Sequence, residues 1–310
     1  MRTFDDDAIS AVLPWDGLIE AIERIVVEDD AEAPPRTVHP VPVPGETEAF
    51  LLLKPGWVTG EIIGVKAVTV FPDNGRVDLP MVQAGFLLFD GRNGSLVGAC
   101  EANALTTRRT AAASAVAAKR LARADAARLL VVGSGALAPM VAQAHAAVRE
   151  YDHIEIWGRT ASKAEMVVAD LAAVGLEANL CTDLDAGIAR ADVISAVTGA
   201  TAPLIKGALL RDGTHVDLIG AFNAEMRESD DEVITRASIF VDTREDAVLA
   251  GDLAQPLAAG LMVLGDIRAD LAELVAGDHR GRTSATEITV FKSAGFALED
   301  LAAARLAFER

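Results

Sequence analysis

The spacing of apolar residues predicts that the first hundred residues form a helix followed by several strands. Leu18, Ile22, Ile25 and Val26 recur at helical intervals, which is typical of an amphipathic helix with one buried face. The apolar runs after it are shorter and are separated by turn residues. The pattern predicts an antiparallel meander with strands over 50–53, 62–71, 82–89 and 96–101, and a proline-rich edge segment over 36–44.

The pattern changes after residue 106, where short apolar runs alternate with segments rich in helix formers. The first such segment predicts a helix that starts with a threonine cap at Thr106 and links two domains. Alternation of this kind is typical of crossover connections and a parallel sheet. The predicted strands are 128–132, 153–157, 191–196, 214–219, 238–241 and 288–291, and the predicted helices are 136–150, 162–174 and 298–308. We expect the last helix to return to the first domain.

One uncharged stretch of twenty residues, Leu129–Val148, satisfies a simple length rule for a membrane span. Gly133, Gly135 and Pro139 interrupt it, and its first part is short and apolar like a buried strand. The stretch therefore predicts a strand, a turn and a helix, and no membrane partner is expected.

The composition narrows the possible partners. The chain has 310 residues, of which 51% are hydrophobic, and its 28 basic and 46 acidic side chains give a formal net charge of −18. Because such a charge repels phosphates, no nucleic-acid partner is expected. Cys100 and Cys181 lack the spacing of a metal site or a disulfide framework. The N-terminus is acidic and does not resemble a signal peptide, so we expect no metal and a cytoplasmic location.

A glycine-rich motif lies between the predicted strand 128–132 and the helix after it. It reads GxGxxA, which in this context is a dinucleotide-binding fingerprint. The first glycine allows a tight turn, the second lets a pyrophosphate approach the backbone, and the helix N-terminus attracts the anion. The alternative is that the glycines serve only the turn; a methyltransferase would carry GxGxG instead. The predicted cofactor contacts are Gly133, Ser134, Gly135, Ala136 and Leu137.

The end of the second strand of such a domain discriminates between NAD and NADP, because an acidic residue there binds the adenosine ribose and repels a 2′-phosphate. Here the strand ends in a glycine that is followed by Arg159, Thr160 and Lys163. These cationic and hydroxyl groups predict a phosphate pocket and favour NADPH over NADH. The alternative is an exposed helix start with incidental basic residues. A later strand end adds Val197 and Thr198 to the predicted cofactor site.

Four further stretches around this motif resemble the ornithine cyclodeaminase and mu-crystallin family over nearly the whole chain. They are Pro34–Arg36, Gly64–Lys66 with Pro72 and Asn74, Ala104–Ala112, and Phe291–Gly295. The resemblance implies an α/β protein in which a doubly wound Rossmann domain, residues 113–295, binds NAD(P). It also implies an α+β domain, formed by residues 1–112 and 296–310, that binds the substrate and forms a homodimer.

The same resemblance implies a site for the substrate carboxylate. In the family this group is held by cationic residues at positions that match Arg36, Lys66 and Arg109. An imino acid must be held by its carboxylate so that Cα faces the nicotinamide, and arginine offers a planar, two-pronged donor. Lys66 adds a point charge and is assigned as the catalytic residue, and Lys292 is assigned to the cofactor site. Without the resemblance, these cations would be interpreted as ordinary surface residues.

One departure from the family pattern bears on the reaction. Cyclodeaminases of the family place an aspartate shortly after the strand-end glycine, where Phe222 stands in this chain. An aromatic ring cannot act as a general base. Glu225 or Glu228 could in principle replace the aspartate, although Glu228 resembles the acidic start of the next helix. The pattern is similar to that of family members that reduce cyclic imines, and Phe222 is assigned to the substrate site.

The sequence therefore predicts an NADPH-dependent reductase of cyclic α-imino acids, which converts 1-pyrroline-2-carboxylate to proline and 1-piperideine-2-carboxylate to pipecolate. The alternative enzyme is an ornithine cyclodeaminase or an alanine-type amino-acid dehydrogenase. The alternative of another class is a non-catalytic, NADP-linked protein that binds a small ligand, against which the full set of cationic residues argues. The preferred ring size stays open.

Overall fold

The structure of the protein, a computed structural model, describes residues 2–309. Its strands are β1 (Arg2–Phe4), β2 (Ala31–Glu32), β3 (Thr37–Val41), β4 (Ala49–Val58), β5 (Ile62–Val70), β6 (Val82–Asp90), β7 (Leu96–Glu101), β8 (Arg128–Val132), β9 (His153–Trp157), β10 (Asn179–Leu180), β11 (Val193–Ala196), β12 (His215–Leu218), β13 (Ser238–Val241), β14 (Ile267–Asp270) and β15 (Thr289–Lys292). Its helices are α1 (Asp6–Val12), α2 (Trp15–Ile25), α3 (Asn103–Leu121), α4 (Leu137–Val148), α5 (Ala161–Ala173), α6 (Leu184–Arg190), α7 (Asp231–Arg236), α8 (Arg244–Ala247), α9 (Gly251–Ala258), α10 (Leu271–Ala276) and α11 (Ala297–Glu309).

The chain divides into two compact units. The first unit combines the residues up to Arg109 with those from Ala297 onward, and the second unit is Thr110–Phe296. The boundary near residue 110 falls within α3, the helix on which the sequence-based boundary at residue 112 also lies.

The first unit contains a mainly antiparallel sheet with the strand order β1-β7-β6-β5-β4-β2, and β3 pairs with β4 on the same edge as β2. Strands β4 to β7 follow one another as a meander, as the sequence predicted, while β1 runs parallel to β7. Helix α11 returns to this unit and packs on β4 and β5. The approach is close, because a Cβ on Gly64 of β5 would lie 2.8 Å from the side chain of Leu301. Alternate residues of the sheet therefore face α11.

The second unit contains a parallel sheet with the strand order β10-β9-β8-β11-β12-β15-β13-β14. Every pairing in this order is parallel. This is a doubly wound arrangement, in which ligands bind at the carboxyl ends of the strands. The predicted fold class, a Rossmann-type α/β unit together with an α+β unit, is confirmed.

The local structure agrees with the sequence patterns at most of the segments singled out above and differs at one helix start. Leu129–Val148 forms most of β8, a turn and the whole of α4. Among residues 2–309 no helix is long and apolar enough to cross a membrane. Cys100 and Cys181 are buried free thiols. The predicted cap at Thr106 is wrong, because α3 already begins at Asn103. The carboxylate of Asp6 accepts a hydrogen bond from the backbone N–H of Ala104 at 2.8 Å and stabilises this earlier start.

Candidate functional site

The glycine-rich motif forms the turn between β8 and α4. Gly133 has φ +138°, a value that favours glycine, and a Cβ there would lie 2.8 Å from the carbonyl oxygen of Val197. At Gly135 an added Cβ would meet nothing within 4 Å, so the backbone lies open to a ligand. Helix α4 begins at Leu137, and its N-cap, Ala136, supplies no capping side chain. No side chain therefore competes with an anion at this helix N-terminus, although the N–H of Ala138 already donates to the carbonyl oxygen of Gly135 at 3.0 Å.

A cleft of about 480 Å³ lies in front of this turn. It is lined by residues from three strand ends, which are Gly133, Ser134, Gly135, Trp157, Arg159, Val197, Thr198, Gly199, Ala200, Thr201, Ala202 and Leu204. The structure thus brings together six of the predicted cofactor residues. A phosphate-binding turn, an uncapped helix and an open cleft fit a bound dinucleotide, whose pyrophosphate would contact the backbone of the motif.

The predicted phosphate pocket lies at the end of β9. Arg159, Thr160 and Lys163 are exposed, and only Arg159 belongs to the lining of the cleft. Helix α5 starts with no acidic residue in its first turn and with Thr160 as an N-cap that makes no side-chain hydrogen bond. A Cβ on Gly158 would lie 2.6 Å from the hydroxyl oxygen of Ser134. The close packing of the two turns therefore explains the glycine at this position.

Lys292, which was also predicted to contact the cofactor, is not part of the lining of the cleft. It is fully buried, and its ammonium donates hydrogen bonds to the carbonyl oxygens of Leu218 at 2.9 Å and Ala221 at 2.6 Å. The Nζ also lies 3.3 Å from a carboxylate oxygen of Asp252. Because β15 is an interior strand of the sheet, its last side chain supports the neighbouring loop.

The interpretation of Glu228 as the acidic start of a helix is also wrong. Its side chain is fully buried, and α7 instead starts at Asp231 with Asp230 as its N-cap. Burial raises the pKa of Glu228 to about 7. In the same loop, Phe222 is 45% exposed and Glu225 is exposed to solvent.

A cluster of charged side chains is buried in the first unit. The ammonium of Lys66, on β5, lies 2.7 Å from a carboxylate oxygen of Asp300 and 3.3 Å from the hydroxyl of Thr106. Arg109 donates to the same oxygen of Asp300 at 2.7 Å and to Glu299 at 2.7 Å. Both acids lie on α11 and are fully buried. At least two N–H donors of Arg109 are therefore used within the protein.

Two further cations lie near this cluster in the sheet register. Lys54 of β4 pairs directly with Lys66, so their side chains point to the same face. Arg36 comes immediately before Thr37, which pairs with Leu53, so the register places it level with Lys54. Arg36 is half-buried, whereas Lys54 is 7% exposed. Arg36 is therefore the most accessible of these cations.

The cluster joins buried side chains of both signs. The cations Lys54, Lys66 and Arg109 and the acids Glu299 and Asp300 are all buried. Burial lowers the pKa of Lys66 to about 7, and the pKa of Asp300 falls to about 2 because the nearby cations outweigh its own burial. One oxygen of Asp300, Oδ2, is buried without a hydrogen-bond partner. A bound carboxylate would find cationic groups close by in this cluster.

Three members of this cluster were not predicted from the sequence: Lys54, Glu299 and Asp300. A signal was present in each case, because Lys54 interrupts an apolar strand and the two acids interrupt an alanine- and leucine-rich helix. Charged residues in such runs are rarely buried unless they are paired. Within residues 2–309, no group of three or more His, Cys, Asp or Glu side chains is arranged to hold a metal ion.

The chain is similar to known proteins of one family. Residues 16–310 match the ornithine cyclodeaminase/mu-crystallin family. A Delta(1)-pyrroline-2-carboxylate reductase of Paracoccus denitrificans is 40% identical over 261 residues, which is 83% of this chain and 82% of that reductase. The ketimine reductase mu-crystallin of Mus musculus is 34% identical over 278 residues, which is 89% of this chain and 84% of the mouse protein.

Among solved structures, the fold is similar to that of Thermococcus litoralis Delta(1)-pyrroline-2-carboxylate reductase in complex with NADH and L-proline. The TM-score is 0.93 at 31% sequence identity, and the match covers 100% of this chain and 97% of that reductase. The similarity therefore extends over both units.

Proposed function

Because this chain belongs to the ornithine cyclodeaminase/mu-crystallin family, we propose that it is an NADPH-dependent reductase of cyclic α-imino acids. The observation that carries the proposal is the state of the carboxylates in the loop after β12. The family resemblance matches Phe222 to the cyclodeaminase aspartate. In the structure, Glu228 is buried and hydrogen-bonded to backbone N–H groups, and Glu225 is exposed. A loop without an available base favours reduction of an imine over deamination.

The cationic cluster of the first unit supports an imino acid as the substrate. Its cationic side chains suit a carboxylate, and the half-buried Arg36 offers the most accessible contact. Lys66 and Arg109 supply the buried positive charge behind it. Clamping the carboxylate fixes the orientation of the imine carbon, which removes most of the entropic barrier to a directed transfer.

Lys66 suits the role of a proton donor to the imine nitrogen. Its lowered pKa of about 7 means that the ammonium gives up its proton readily near neutral pH. Protonation withdraws electrons from the C=N bond and makes its carbon electrophilic. NADPH, when bound, supplies the hydride that this carbon accepts.

The preference for NADPH is supported by the end of β9. Arg159 lines the cleft, Lys163 lies in the first turn of α5, and no acidic residue stands where one would repel a 2′-phosphate. The Thermococcus litoralis reductase was solved with NADH, so the preference is a property to be tested in this chain.

We also propose that the protein acts as a homodimer through the sheet face that points away from α11. Val65, Leu87 and Ala99 lie side by side on this face in three neighbouring strands. Leu87 is 41% exposed, whereas Leu88, on the opposite face, is 1% exposed. A second copy would bury this row of apolar side chains.

A panel of substrates tests the proposed function. Purified protein should oxidise NADPH with 1-pyrroline-2-carboxylate or 1-piperideine-2-carboxylate and form proline or pipecolate. It should release no ammonia from ornithine or alanine in the presence of NAD. Ammonia release without imine reduction would instead assign a deaminase or dehydrogenase. NADPH binding without turnover of any of these compounds would support a binding protein and refute the proposal.

A further inference from the structure

The loop after β12 is held by one buried carboxylate. Oε1 of Glu228 accepts hydrogen bonds from the backbone N–H of Thr198 at 2.6 Å and from its hydroxyl at 2.9 Å. Oε2 accepts from the N–H groups of Gly220 at 2.7 Å and Ala221 at 3.2 Å. Thr198 follows β11 and Gly220 follows β12, which are neighbouring parallel strands. A single side chain thus joins the ends of two strands.

Gly220, beside this carboxylate, packs so closely against Thr198 that a side chain would not fit. A Cβ on Gly220 would overlap the backbone N and O of Thr198 and would lie 2.6 Å from Oε1 of Glu228. Only glycine can therefore occupy this position without moving Thr198. The ends of β11 and β12 are therefore in close contact at Thr198 and Gly220, and the carboxylate of Glu228 is hydrogen-bonded to both.

A second layer of buried charges holds Glu228 itself. Asp252 of α9 accepts hydrogen bonds from the N–H of Glu228 at 2.8 Å and the N–H of Ser229 at 3.0 Å. Lys292 donates to the carbonyl oxygen of Ala221 at 2.6 Å and lies 3.3 Å from Asp252. All three charged side chains are fully buried. Such a network is rigid when complete and costly to disrupt.

The two loop segments joined by Glu228 serve different predicted ligands. Thr198 lines the cofactor cleft beside Gly133 and Gly135, whereas Ala221 directly precedes Phe222, the residue assigned to the substrate. We propose that Glu228 is a positioning residue, whose carboxylate fixes the wall of the cofactor cleft at Thr198 and the segment carrying Phe222 relative to each other. This proposal rests on the proposed function, because it assigns a cofactor to the cleft.

The ionisation of Glu228 gives this proposal a measurable signature. Burial and the charge of Asp252 raise its pKa to about 7, while Lys292 and the hydrogen bonds from Thr198 oppose the rise. All four donors point at the carboxylate, so a proton on one oxygen displaces at least one of them. As the pH falls through about 7, the cleft wall should loosen and the cofactor should bind more weakly.

The test measures cofactor binding without substrate, by energy transfer from Trp157 in the cleft wall to the reduced nicotinamide. NADH is titrated alongside NADPH, because it lacks the 2′-phosphate, whose own second pKa lies near 6. The Kd for NADH of the wild-type protein should rise at least threefold between about pH 8 and pH 6, since most carboxylates with a pKa near 7 are protonated at the lower pH.

Glu228→Gln is the decisive variant. The amide of glutamine carries N–H donors, which would face the backbone N–H donors of the loop without an acceptor between them. The Kd at pH 8 should therefore rise about tenfold. Because the amide does not titrate, the Kd should also lose its dependence on pH. Glu225→Gln, at an exposed glutamate of the same loop, is the matched control and should follow the wild-type curve. A folded Glu228→Gln protein with the wild-type Kd and pH curve would overturn the proposal.

Thr198→Val provides a milder test if Glu228→Gln does not fold. It removes the hydroxyl donor and leaves the backbone donors, so cofactor binding should weaken about threefold. An unchanged Kd would contradict the positioning role. Failure of the proposed function is distinguishable, because wild-type protein that binds NADH or NADPH in a pH-dependent manner but reduces no imine would leave this inference standing.

Discussion

Lys54 and Lys66 face each other across β4 and β5, and both ammonium groups are buried. Burial disfavours the charged form of Lys66, and the positive charges of Arg109 and Lys54 lower its pKa further, while Asp300 opposes them. The result is a lysine that loses its proton near pH 7 instead of near pH 10. The second lysine therefore helps to tune the first.

Replacing Lys54 should change the pH dependence of the reaction. Lys54→Met removes a positive charge and keeps a side chain of similar length, so the pKa of Lys66 should rise. The protonated form of Lys66 is the active one, so the wild-type protein should lose activity as the pH rises through about 7. The variant should keep its activity to a higher pH. The alkaline limb of the kcat/KM profile should shift upward by about one pH unit. Lys54→Arg keeps the charge and should resemble the wild type. If the alkaline limb of the kcat/KM profile is the same in the wild type and both variants, Lys54 does not lower the pKa of Lys66.

Arg159 should govern the choice of cofactor. Its guanidinium lies at the edge of the cleft. This is the end of β9, where the 2′-phosphate of a bound NADPH would lie. Arg159→Ala should lower the ratio of kcat/KM for NADPH over NADH about tenfold or more, since a charge-assisted hydrogen bond contributes about 1.5 to 3 kcal/mol. Activity with NADH should change little. An unchanged ratio would show that this pocket does not bind the phosphate.

At the scale of helices and strands, the sequence predicted elements whose limits are set locally. The strands 128–132, 153–157 and 238–241 agree residue for residue with β8, β9 and β13, because each is a short apolar run bounded by polar or turn residues. The start of α3 could not be predicted in this way. It depends on Asp6, which lies far from Ala104 along the chain.

The contact between the turns after β8 and β9 gives a prediction about redesign. An acidic residue at position 158 would be the usual change toward NADH. Gly158→Asp should nevertheless lower the melting temperature and weaken the binding of both cofactors, because its Cβ would lie 2.6 Å from the hydroxyl and 2.8 Å from the Cβ of Ser134. Overpacking of this kind costs about 1 to 3 kcal/mol. The double variant with Ser134→Gly should recover most of the stability, and equal destabilisation of the single and double variants would refute this cause.

At the scale of the whole chain, the charged cluster shows what sequence reasoning cannot reach. Its members come from β4, β5, α3 and α11, and Lys66 and Asp300 are 234 positions apart. The family resemblance indicated Lys66 and Arg109, but the partners of these residues follow from the return of α11 to the first unit. Long-range pairings such as this one depend on tertiary packing, which local patterns do not encode.

The proposed dimer can be tested on its apolar face. Leu87→Lys places a charge on the exposed face of β6 and should shift the molar mass measured by light scattering from that of two chains to that of one. Met166→Lys is the matched control, because Met166 is 66% exposed on α5 in the second unit. This variant should keep the wild-type mass. A Leu87→Lys protein that is still dimeric would mean that the interface lies elsewhere. A wild-type protein that is monomeric would refute the dimer itself.

The transfer of hydride to the imine carbon can be followed with an isotope. Wild-type protein is incubated with 1-pyrroline-2-carboxylate and NADPH that carries deuterium at both C4 positions of the nicotinamide, and the product is analysed by mass spectrometry. We expect proline with one deuterium at Cα, because the imine carbon is the atom that accepts the hydride. Absence of proline, or proline without deuterium at Cα, would contradict the proposed reductase.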